Sequence, residues 1–426
     1  MKSVKVTKAS KFSLEISEIA PDKSISHRSA MFSMLAQGTS EIENFLRAED
    51  TLNSLNIVKN LGATIVDDGA TIKISSKGIV ESSEILDCGN SGTGIRLFCG
   101  LLSSAEGHFV LTGDEYLRRR PMKRVTAPLR DIGAKLDGRQ NGDLAPLSIR
   151  GASLKAFDYE SKIASAQVKS AMILAALRAD GVCTYREPEL SRDHTERMLK
   201  GMGADIEVEG LKTTVKPMTK LLSPLKIRVP ADPSSAFFFA VAASIIPNSD
   251  VVLQGVTLNP TRIEAFKALE RMGADITYIT MDDKYEPIGD IHVKYAPLSA
   301  ITVEDNISWL IDELPALSIA FACANGVSIV KNAEELRVKE SDRISTVVEG
   351  LRACGIKIEE FKDGYSVKGG ELKEAAVNSH GDHRIAMSFM IAGLKCAMRV
   401  SDTDCINTSF PNFFELLQKI TKIEFI

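Results

Sequence analysis

The feature that most constrains this chain is a pattern that recurs about every 70 residues. In each copy an amphipathic helix pattern ends at a glycine, and alternating apolar residues follow. The glycines of the five copies are Gly62, Gly133, Gly203, Gly273 and Gly355. A glycine just beyond a helix often takes the left-handed conformation that ends it, because it has no Cβ to clash. Each copy therefore predicts a helix, a glycine cap and a β-hairpin.

A second apolar helix pattern lies upstream of each glycine, and a sixth copy, beginning at DHRIAMSFMIAGL, has Thr421 in place of the glycine. Six copies account for nearly the whole chain of 426 residues. The alternating N-terminal run from Ser3 to Ile19 could supply the strand missing after Thr421. We therefore expect both termini in one domain. A solenoid of six stacked repeats is the alternative, but its period would normally be about 20–50 residues.

Prolines mark two crossovers between the predicted domains, near EIAPDKS and near KIRVPADPSS. Proline interrupts regular structure because it fixes φ and lacks an N–H donor. The predicted domains are residues 20–228, with three repeats, and residues 1–19 plus 229–426, with the other three.

Composition and charge exclude several classes of protein. Hydrophobic residues make up 44% of the chain and charged residues 25%, which is typical of a globular protein and not of a disordered or fibrous one. With 52 basic and 56 acidic side chains, the chain lacks the basic excess of a nucleic-acid-binding protein. The seven cysteines include no C-x-x-C pair and indicate reduced thiols in the cytoplasm. The longest apolar run, 236–246, is too short to span a membrane, and the polar N-terminus does not resemble a signal peptide.

Two helix starts have the composition of anion sites. The segment PDKSISHR opens a helix pattern at the first crossover and combines free backbone N–H groups with Lys23, Ser24 and Arg28. A capped surface helix with solvated charges explains that segment equally well. The segment GNSGTGIR repeats the idea, although a glycine-rich helix start is weak evidence alone.

Cations cluster most densely in residues 117–124, where five occur in eight positions. Either a nearby anion or a solvated face explains such a run. Further charged sets occur at 191–194, 337–343 and 380–384, each at a helix start or loop of the repeat. Since the repeat places corresponding ends in corresponding positions, these cations could converge on one cleft, which would suit a ligand with two anionic groups.

Asp312 and Glu340 lie among these cations and could act as bases or as ordinary ion-pair partners. The HGDH sequence at 380–383 invites a metal-binding interpretation, but the further ligands of the usual zinc motifs do not accompany it.

Nine motifs, in order along the full length, carry a resemblance to a known family: PDKSISHR, GNSGTGIRL, RRRP, SAQVKSA, SRDHTERML, IDELP, LRVKESDR, GDHRIAMSF and SFPNFFE. The chain resembles the 5-enolpyruvylshikimate-3-phosphate (EPSP) synthase family. The resemblance implies an α/β (α+β) fold, a two-domain inside-out α/β barrel. Six βαβαββ repeats would be arranged three per domain around a pseudo-threefold axis, in a monomer.

The family reaction transfers the enolpyruvyl group of phosphoenolpyruvate to the 5-hydroxyl of shikimate 3-phosphate, by addition and elimination through a tetrahedral ketal. The resemblance implies no metal or organic cofactor, and no nucleic-acid or membrane partner. It places shikimate 3-phosphate on Lys23, Ser24, Arg28, Ser165, Ala166, Gln167, Ser191, Arg192, Asp312 and Lys339. It places phosphoenolpyruvate on Lys23, Asn90, Gly92, Thr93, Arg120, Gln167, Arg343 and Arg384. Asp312 would take the proton of the attacking hydroxyl, while Glu340 and Lys23 would handle proton transfer at the methylene and the leaving phosphate.

The chain departs from the family pattern at three places. Ser165 and Ala166 stand where many members have paired serines, which leaves Arg192 as the candidate replacement for a phosphate contact. Thr408 stands where many members have a lysine. The loop reads GNSGTGIRL, whereas members sensitive to glyphosate, which competes with phosphoenolpyruvate, read GNAGTAMRP; the resemblance therefore does not extend to glyphosate sensitivity.

Two other functions are alternatives to this one. UDP-N-acetylglucosamine enolpyruvyl transferase shares the fold and the donor but uses a cysteine in the loop before the Arg-Pro. Here that loop, GDEYLRRRP, has Glu115 and no cysteine, and Cys99 lies well upstream. A non-enzymatic, clamp-like ring of six repeats would need a basic inner surface without paired carboxylates.

Overall fold

The structure is a computed structural model that describes residues 3–282 and 285–426. Its strands are β1 (Ser3–Val6), β2 (Ser13–Ile16), β3 (Thr39–Glu43), β4 (Thr64–Asp67), β5 (Thr71–Ser75), β6 (Leu86–Asp87), β7 (His108–Thr112), β8 (Lys135–Gly138), β9 (Leu144–Arg150), β10 (Asp158–Glu160), β11 (Cys183–Arg186), β12 (Ile206–Glu209), β13 (Lys212–Val215), β14 (Lys226–Arg228), β15 (Asp250–Thr257), β16 (Asp275–Asp282), β17 (Ile288–Lys294), β18 (Thr302–Val303), β19 (Val327–Val330), β20 (Lys357–Phe361), β21 (Gly364–Lys368), β22 (Ala375–Asn378), β23 (Met398–Ser401) and β24 (Ile423–Phe425).

The α-helices are α1 (Lys23–Phe32), α2 (Glu49–Asn60), α3 (Gly92–Leu102), α4 (Lys123–Asp131), α5 (Arg139–Gly142), α6 (Ala166–Ala176), α7 (His194–Gly201), α8 (Pro233–Ile245), α9 (Glu264–Arg271), α10 (Ile307–Leu310), α11 (Leu314–Cys323), α12 (Arg343–Ala353), α13 (His383–Cys396) and α14 (Phe413–Gln418). Short 3-10 helices cover Ser33–Leu35, Leu117–Arg119, Glu334–Val338 and Asp404–Thr408. Within the described residues, no helix combines the length and the apolar character that crossing a membrane requires.

The repeat predicted from the glycines is confirmed. In five copies a helix (α2, α4, α7, α9 or α12) ends at a glycine with positive φ, and a pair of antiparallel strands follows. The φ values are +98° at Gly62, +101° at Gly133, +93° at Gly203, +102° at Gly273 and +78° at Gly355. In the sixth copy α14 is followed by Thr421 and then by β24.

The strands form six four-stranded sheets of one topology, each a parallel pair extended by two antiparallel pairs. The orders are β14-β3-β5-β4, β6-β7-β9-β8, β10-β11-β13-β12, β2-β15-β17-β16, β18-β19-β21-β20 and β22-β23-β1-β24. A sheet faces the core on one side, as in β9, whose alternate residues are buried. The helices that begin the repeats lie inside, and every residue of α8 is buried. The fold is the inside-out α/β barrel that the family resemblance implies.

The described residues form two compact units. The first unit contains residues 21–229 and 285–286, and the second contains residues 3–20, 230–282 and 287–426. Strand β1 lies between β23 and β24, so the N-terminal run does supply the missing strand. That run forms two strands, however, because β2 leaves this sheet and pairs in parallel with β15. Near the second crossover, β14 completes the sheet of the first repeat by pairing with β3.

Candidate active site

Helix α1 carries three of the predicted site residues of the first unit. The Asp22 carboxylate caps the helix by accepting from the Ile25 N–H at 2.8 Å. Lys23, in the first turn, forms an ion pair with the Asp50 carboxylate of α2. One turn later, the Arg28 guanidinium donates to the Ser24 carbonyl at 3.1 Å. The local sequence thus places Lys23, Ser24 and Arg28 at one helix end.

Arg28 is buried and is held from two other helices. Its Nε donates to Thr195 Oγ1 at 2.8 Å, and Nη2 donates to Ser170 Oγ at 3.0 Å. The two hydroxyls lie 2.7 Å apart, joining α6 to α7. These two hydroxyls hold the Arg28 guanidinium in one orientation.

The glycine-rich loop lies against Arg120. Ser91 caps α3 by accepting from the Gly94 N–H at 2.9 Å, and Asn90 donates to the Asp114 carboxylate at 2.9 Å. A Cβ added to Gly92 would lie 2.8 Å from Cζ of Arg120. Glycine at position 92 therefore lets the loop backbone and the guanidinium approach closely, and a side chain there would displace the guanidinium.

Gln167 is held between two side chains of α3. Its Oε1 accepts from Arg96 at 2.5 Å, and its amide donates to Thr93 Oγ1 at 3.0 Å. Ser165 and Ala166 lie beside it at the start of α6, where Ser165 makes no side-chain capping bond. The structure therefore brings into contact Thr93 and Gln167, which are both predicted ligands of phosphoenolpyruvate.

Two buried residues of this region were missed by sequence reasoning. Arg96, 3% exposed, holds Gln167 and also donates to the Pro121 carbonyl at 2.8 Å. His27 bridges Ser54 and Ser91, with ring nitrogens 2.8 and 3.2 Å from their hydroxyls. Burial, together with the charges of Lys23 and Arg28, lowers the pKa of His27 well below its usual value. His27 lies in the PDKSISHR motif and Arg96 in the GNSGTGIRL motif. Their position beside assigned ligands is the sequence signal that could have identified them.

Ser191 is buried and already hydrogen-bonded. Its hydroxyl donates to Glu187 Oε2 at 2.6 Å, and its carbonyl accepts from Lys169 at 3.1 Å. Because a hydroxyl carries one proton, a bond donated from Ser191 to a phosphate requires that hydroxyl to rotate away from Glu187. Arg192, the next residue, is half-buried.

In the second unit, a single guanidinium gathers three carboxylates. Arg343, 1% exposed, lies 3.1 Å from Asp312 Oδ1, 2.7 Å from Glu340 Oε2 and 2.8 Å from Asp382 Oδ2. Burial opposes the charge, but Asp382, Glu340 and Asp312 outweigh it and raise the pKa of Arg343. We call Arg343 and these three carboxylates the Arg343 cluster. It joins a predicted donor ligand to both predicted carboxylate catalysts.

Lys339 borders the Arg343 cluster, with Nζ 4.0 Å from Asp312 Oδ1. Burial lowers the pKa of Lys339, and the Asp312 charge acts in the opposite direction.

Arg384 is buried in the first turn of α13, the helix that Asp382 caps. Its guanidinium carbon lies 6.0 Å from the centre of the Phe238 ring. The hydroxyl of Thr408 donates to the Cys405 carbonyl at 2.7 Å, so its proton is committed to the backbone.

The cation-rich run divides into two kinds of residue. Arg118 and Arg119 are exposed, as the solvated-face interpretation expects, whereas Arg120 and Arg124 are half-buried.

In the HGDH segment, His380 is exposed and lies 3.6 Å from Glu349, while His383 is buried. Across residues 3–282 and 285–426, no group of three His, Cys, Asp or Glu side chains is arranged to hold a metal ion.

Comparisons with known proteins agree with this fold. Residues 6–417 match the EPSP synthase (3-phosphoshikimate 1-carboxyvinyltransferase) family. A 3-phosphoshikimate 1-carboxyvinyltransferase of Sulfurimonas denitrificans is 84% identical over 425 residues, covering 100% of this chain and 99% of that protein. One from Nitratiruptor is 65% identical over 430 residues, covering 100% and 99%. The solved EPSP synthase of Acinetobacter baumannii superimposes with a TM-score of 0.89 at 40% identity, covering the whole of both chains. The chain belongs to the EPSP synthase family.

Proposed function

We propose that this protein transfers the enolpyruvyl group of phosphoenolpyruvate to the 5-hydroxyl of shikimate 3-phosphate, giving 5-enolpyruvylshikimate 3-phosphate and phosphate. Membership of the family supports this reaction. The observation that carries it within the structure is the Arg343 cluster, in which Asp312 and Glu340 bond one buried cation. An addition and elimination reaction needs two proton-transfer groups beside a bound anion, and this cluster offers both.

Shikimate 3-phosphate, in this proposal, is bound by cations, hydroxyls and amides. Its ligands are Lys23, Ser24, Arg28, Ser165, Gln167, Ser191, Arg192, Asp312 and Lys339, with the backbone at Ala166. Support comes from the packing of Arg28 against Ser170 and Thr195, which orients its guanidinium. Arg192 takes the place of the second serine hydroxyl that Ala166 lacks.

Phosphoenolpyruvate carries a carboxylate and a phosphate, so its site needs several cations. Its proposed ligands are Lys23, Asn90, Gly92, Thr93, Arg120, Gln167, Arg343 and Arg384. The close approach of Arg120 to the Gly92 backbone favours a site where a cation and the N-terminus of α3 act on the same anion.

Substrate binding is proposed to release the catalytic carboxylates of the Arg343 cluster. An incoming anion competes with Asp312 and Glu340 for the Arg343 guanidinium. A carboxylate that loses a cationic partner becomes a stronger base, since the cation favours its charged form. Asp312 then takes the proton of the attacking 5-hydroxyl. Glu340 and Lys23 carry protons to and from the methylene and to the departing phosphate.

We further propose that the protein acts in the cytoplasm as a monomer, without a metal or organic cofactor and without a nucleic-acid or membrane partner. The seven free cysteines, four of them buried, are consistent with a reducing compartment. The two domains are proposed to be residues 20–228 and residues 1–19 plus 229–426, each with three repeats.

A two-substrate assay tests the reaction. Phosphate release is expected when phosphoenolpyruvate and shikimate 3-phosphate are both present, and not with either alone, because elimination requires the ketal made from both. The measurement is coupled detection of phosphate, with product identified by mass. Release of phosphate with UDP-N-acetylglucosamine in place of shikimate 3-phosphate would contradict the proposal and favour the related transferase.

The Gly92→Ala variant tests the donor site. The new methyl group would meet the Arg120 guanidinium at 2.8 Å, so the cation must shift. We expect kcat/KM for phosphoenolpyruvate to fall about 10-fold or more, since catalytic groups tolerate little displacement. The matched control is Gly370→Ala in the second unit, where the new methyl group meets the Ile356 side chain at an ordinary 3.7 Å. Steady-state kinetics decide, and an unchanged kcat/KM in Gly92→Ala would remove Arg120 from the donor site.

A further inference from the structure

Lys169 is a buried lysine of α6 to which the proposed reaction assigns no role. Its side chain is 1% exposed, and Nζ lies 2.7 Å from Glu187 Oε1 and 2.9 Å from Glu196 Oε1. It also donates to the Ser191 carbonyl at 3.1 Å. Burial disfavours the ammonium ion, but the two carboxylates outweigh burial and raise the pKa of Lys169, so it is charged at neutral pH. An ammonium has three protons, and these three acceptors can use all of them.

The first consequence of this arrangement concerns Ser191. Lys169 bonds its main-chain carbonyl, and Glu187 accepts from its side-chain hydroxyl at 2.6 Å. Both the backbone and the side chain of Ser191 are thus fixed by the same buried ion pair. Since Arg192 follows directly in the chain, the position of its backbone is set by the same contacts.

The second consequence concerns Arg28. Lys169 and Ser170 are neighbours on α6, and Glu196 and Thr195 are neighbours on α7. The Lys169 to Glu196 ion pair therefore joins the two helices beside the Ser170 to Thr195 hydrogen bond of 2.7 Å. The Arg28 guanidinium donates to both of these hydroxyls, at 3.0 Å to Ser170 and at 2.8 Å to Thr195. A change in the spacing of α6 and α7 would move the two hydroxyls, of Ser170 and Thr195, that accept hydrogen bonds from Arg28.

We propose that Lys169 is a positioning residue for the acceptor substrate, fixing Ser191 directly and Arg28 through the α6 to α7 contact. The inference rests on the proposed function, in which Ser191 and Arg28 bind shikimate 3-phosphate. Gln167, a proposed ligand of both substrates on the same helix, is held by Arg96 and Thr93, whereas Ser191 and Arg28 are proposed ligands of the acceptor alone. Donor binding therefore depends less on Lys169 than acceptor binding does.

The test is Lys169→Met in the full chain, which keeps the length of the side chain and removes its charge. We expect the KM and the Kd of shikimate 3-phosphate to rise about 10-fold or more, because small displacements of binding groups are costly. The kcat and the KM of phosphoenolpyruvate should stay within about twofold of wild type, the result for a residue acting on acceptor binding.

A second variant keeps the test decisive if the first folds poorly. Lys169→Met leaves two buried carboxylates without their cation, whereas Lys169→Met with Glu196→Gln restores the original net charge of the group. The double variant should recover thermal stability but keep the raised KM for shikimate 3-phosphate, since the Ser191 carbonyl still lacks its donor. Recovery of stability and KM together would show a merely structural role and overturn the proposal.

Arg130→Met is the matched control in the same unit. Arg130 donates to the Leu136 carbonyl at 2.7 Å and the Asn141 carbonyl at 2.8 Å. Its loss should lower stability and leave the KM of shikimate 3-phosphate unchanged. A folded Lys169→Met with wild-type affinity for shikimate 3-phosphate, or with an equal loss for both substrates, would refute the inference.

Direct calorimetry with shikimate 3-phosphate alone separates the two proposals. Wild type that binds shikimate 3-phosphate but releases no phosphate with both substrates would refute the function, and the affinity of Lys169→Met would still decide the inference. Wild type that does not bind shikimate 3-phosphate would refute both.

Discussion

Asp312→Asn is expected to lower kcat about 100-fold or more, the usual loss when a general base is removed. The amide has nearly the same shape as the carboxylate but cannot accept the proton of the attacking hydroxyl. Arg343 keeps Glu340 and Asp382 as partners, so the second unit should stay folded. Substrate KM values should change less than kcat, because the interaction lost belongs mainly to the transition state.

Asp342→Asn is the control for that measurement. Asp342 caps α12 by accepting from the Ser345 N–H at 3.1 Å and bonds Arg337 at 2.8 Å, so it is a nearby carboxylate with a structural role. Its loss should reduce thermal stability and leave kcat close to wild type. Turnover of Asp312→Asn within about threefold of wild type would remove Asp312 from the role of base.

Arg343→Met should have the largest effect of any single substitution in the site. The guanidinium is proposed to bind phosphoenolpyruvate, so its removal should lower kcat/KM for that substrate about 10³-fold or more. It also leaves three carboxylates of the second unit without their shared cation. Breaking a buried ion pair by removing one partner typically costs about 3–5 kcal/mol, so the free energy of unfolding should fall markedly.

Two further variants separate the loss of catalysis from the loss of stability. Arg343→Lys keeps the positive charge but not the planar fork that reaches several carboxylates, so kcat/KM should fall while most of the stability remains. Arg352→Met changes an exposed arginine of the same helix and should match wild type in both urea unfolding and kinetics. If Arg343→Met retained the wild-type KM for phosphoenolpyruvate, Arg343 would not be a donor ligand.

The repeat could be predicted from sequence because its signals are local. A glycine at a helix end adopts positive φ whatever surrounds it, and Gly62 and Gly273 do so at +98° and +102°. The partner of β2 could not be predicted in the same way. Strand pairing is decided by which edge is available in three dimensions, and β2 pairs with β15, more than 200 residues away.

For the candidate site, too, the sequence predicted local motifs but not the contacts between distant residues. The motifs singled out Asp312, Glu340 and Arg343, and these three side chains do lie together. Motifs could not show that one guanidinium bonds both carboxylates. The contacts of Lys169 could not be predicted either, since Glu187, just after β11, and Glu196, on α7, lie 18 and 27 positions away and form no local pattern.

The pairing of the two chain ends has a consequence for synthesis on the ribosome. Strand β1 is translated long before its partners β23 and β24, which follow it late in the chain. The backbones of Ser3 and Ile426 even bond each other, at 2.8 Å and 3.3 Å. All sheets of the first unit, in contrast, draw their strands from residues 39–228. Because domains fold as units while the chain emerges, we expect the first unit to fold co-translationally, whereas β1 pairs only after β23 and β24 have been translated.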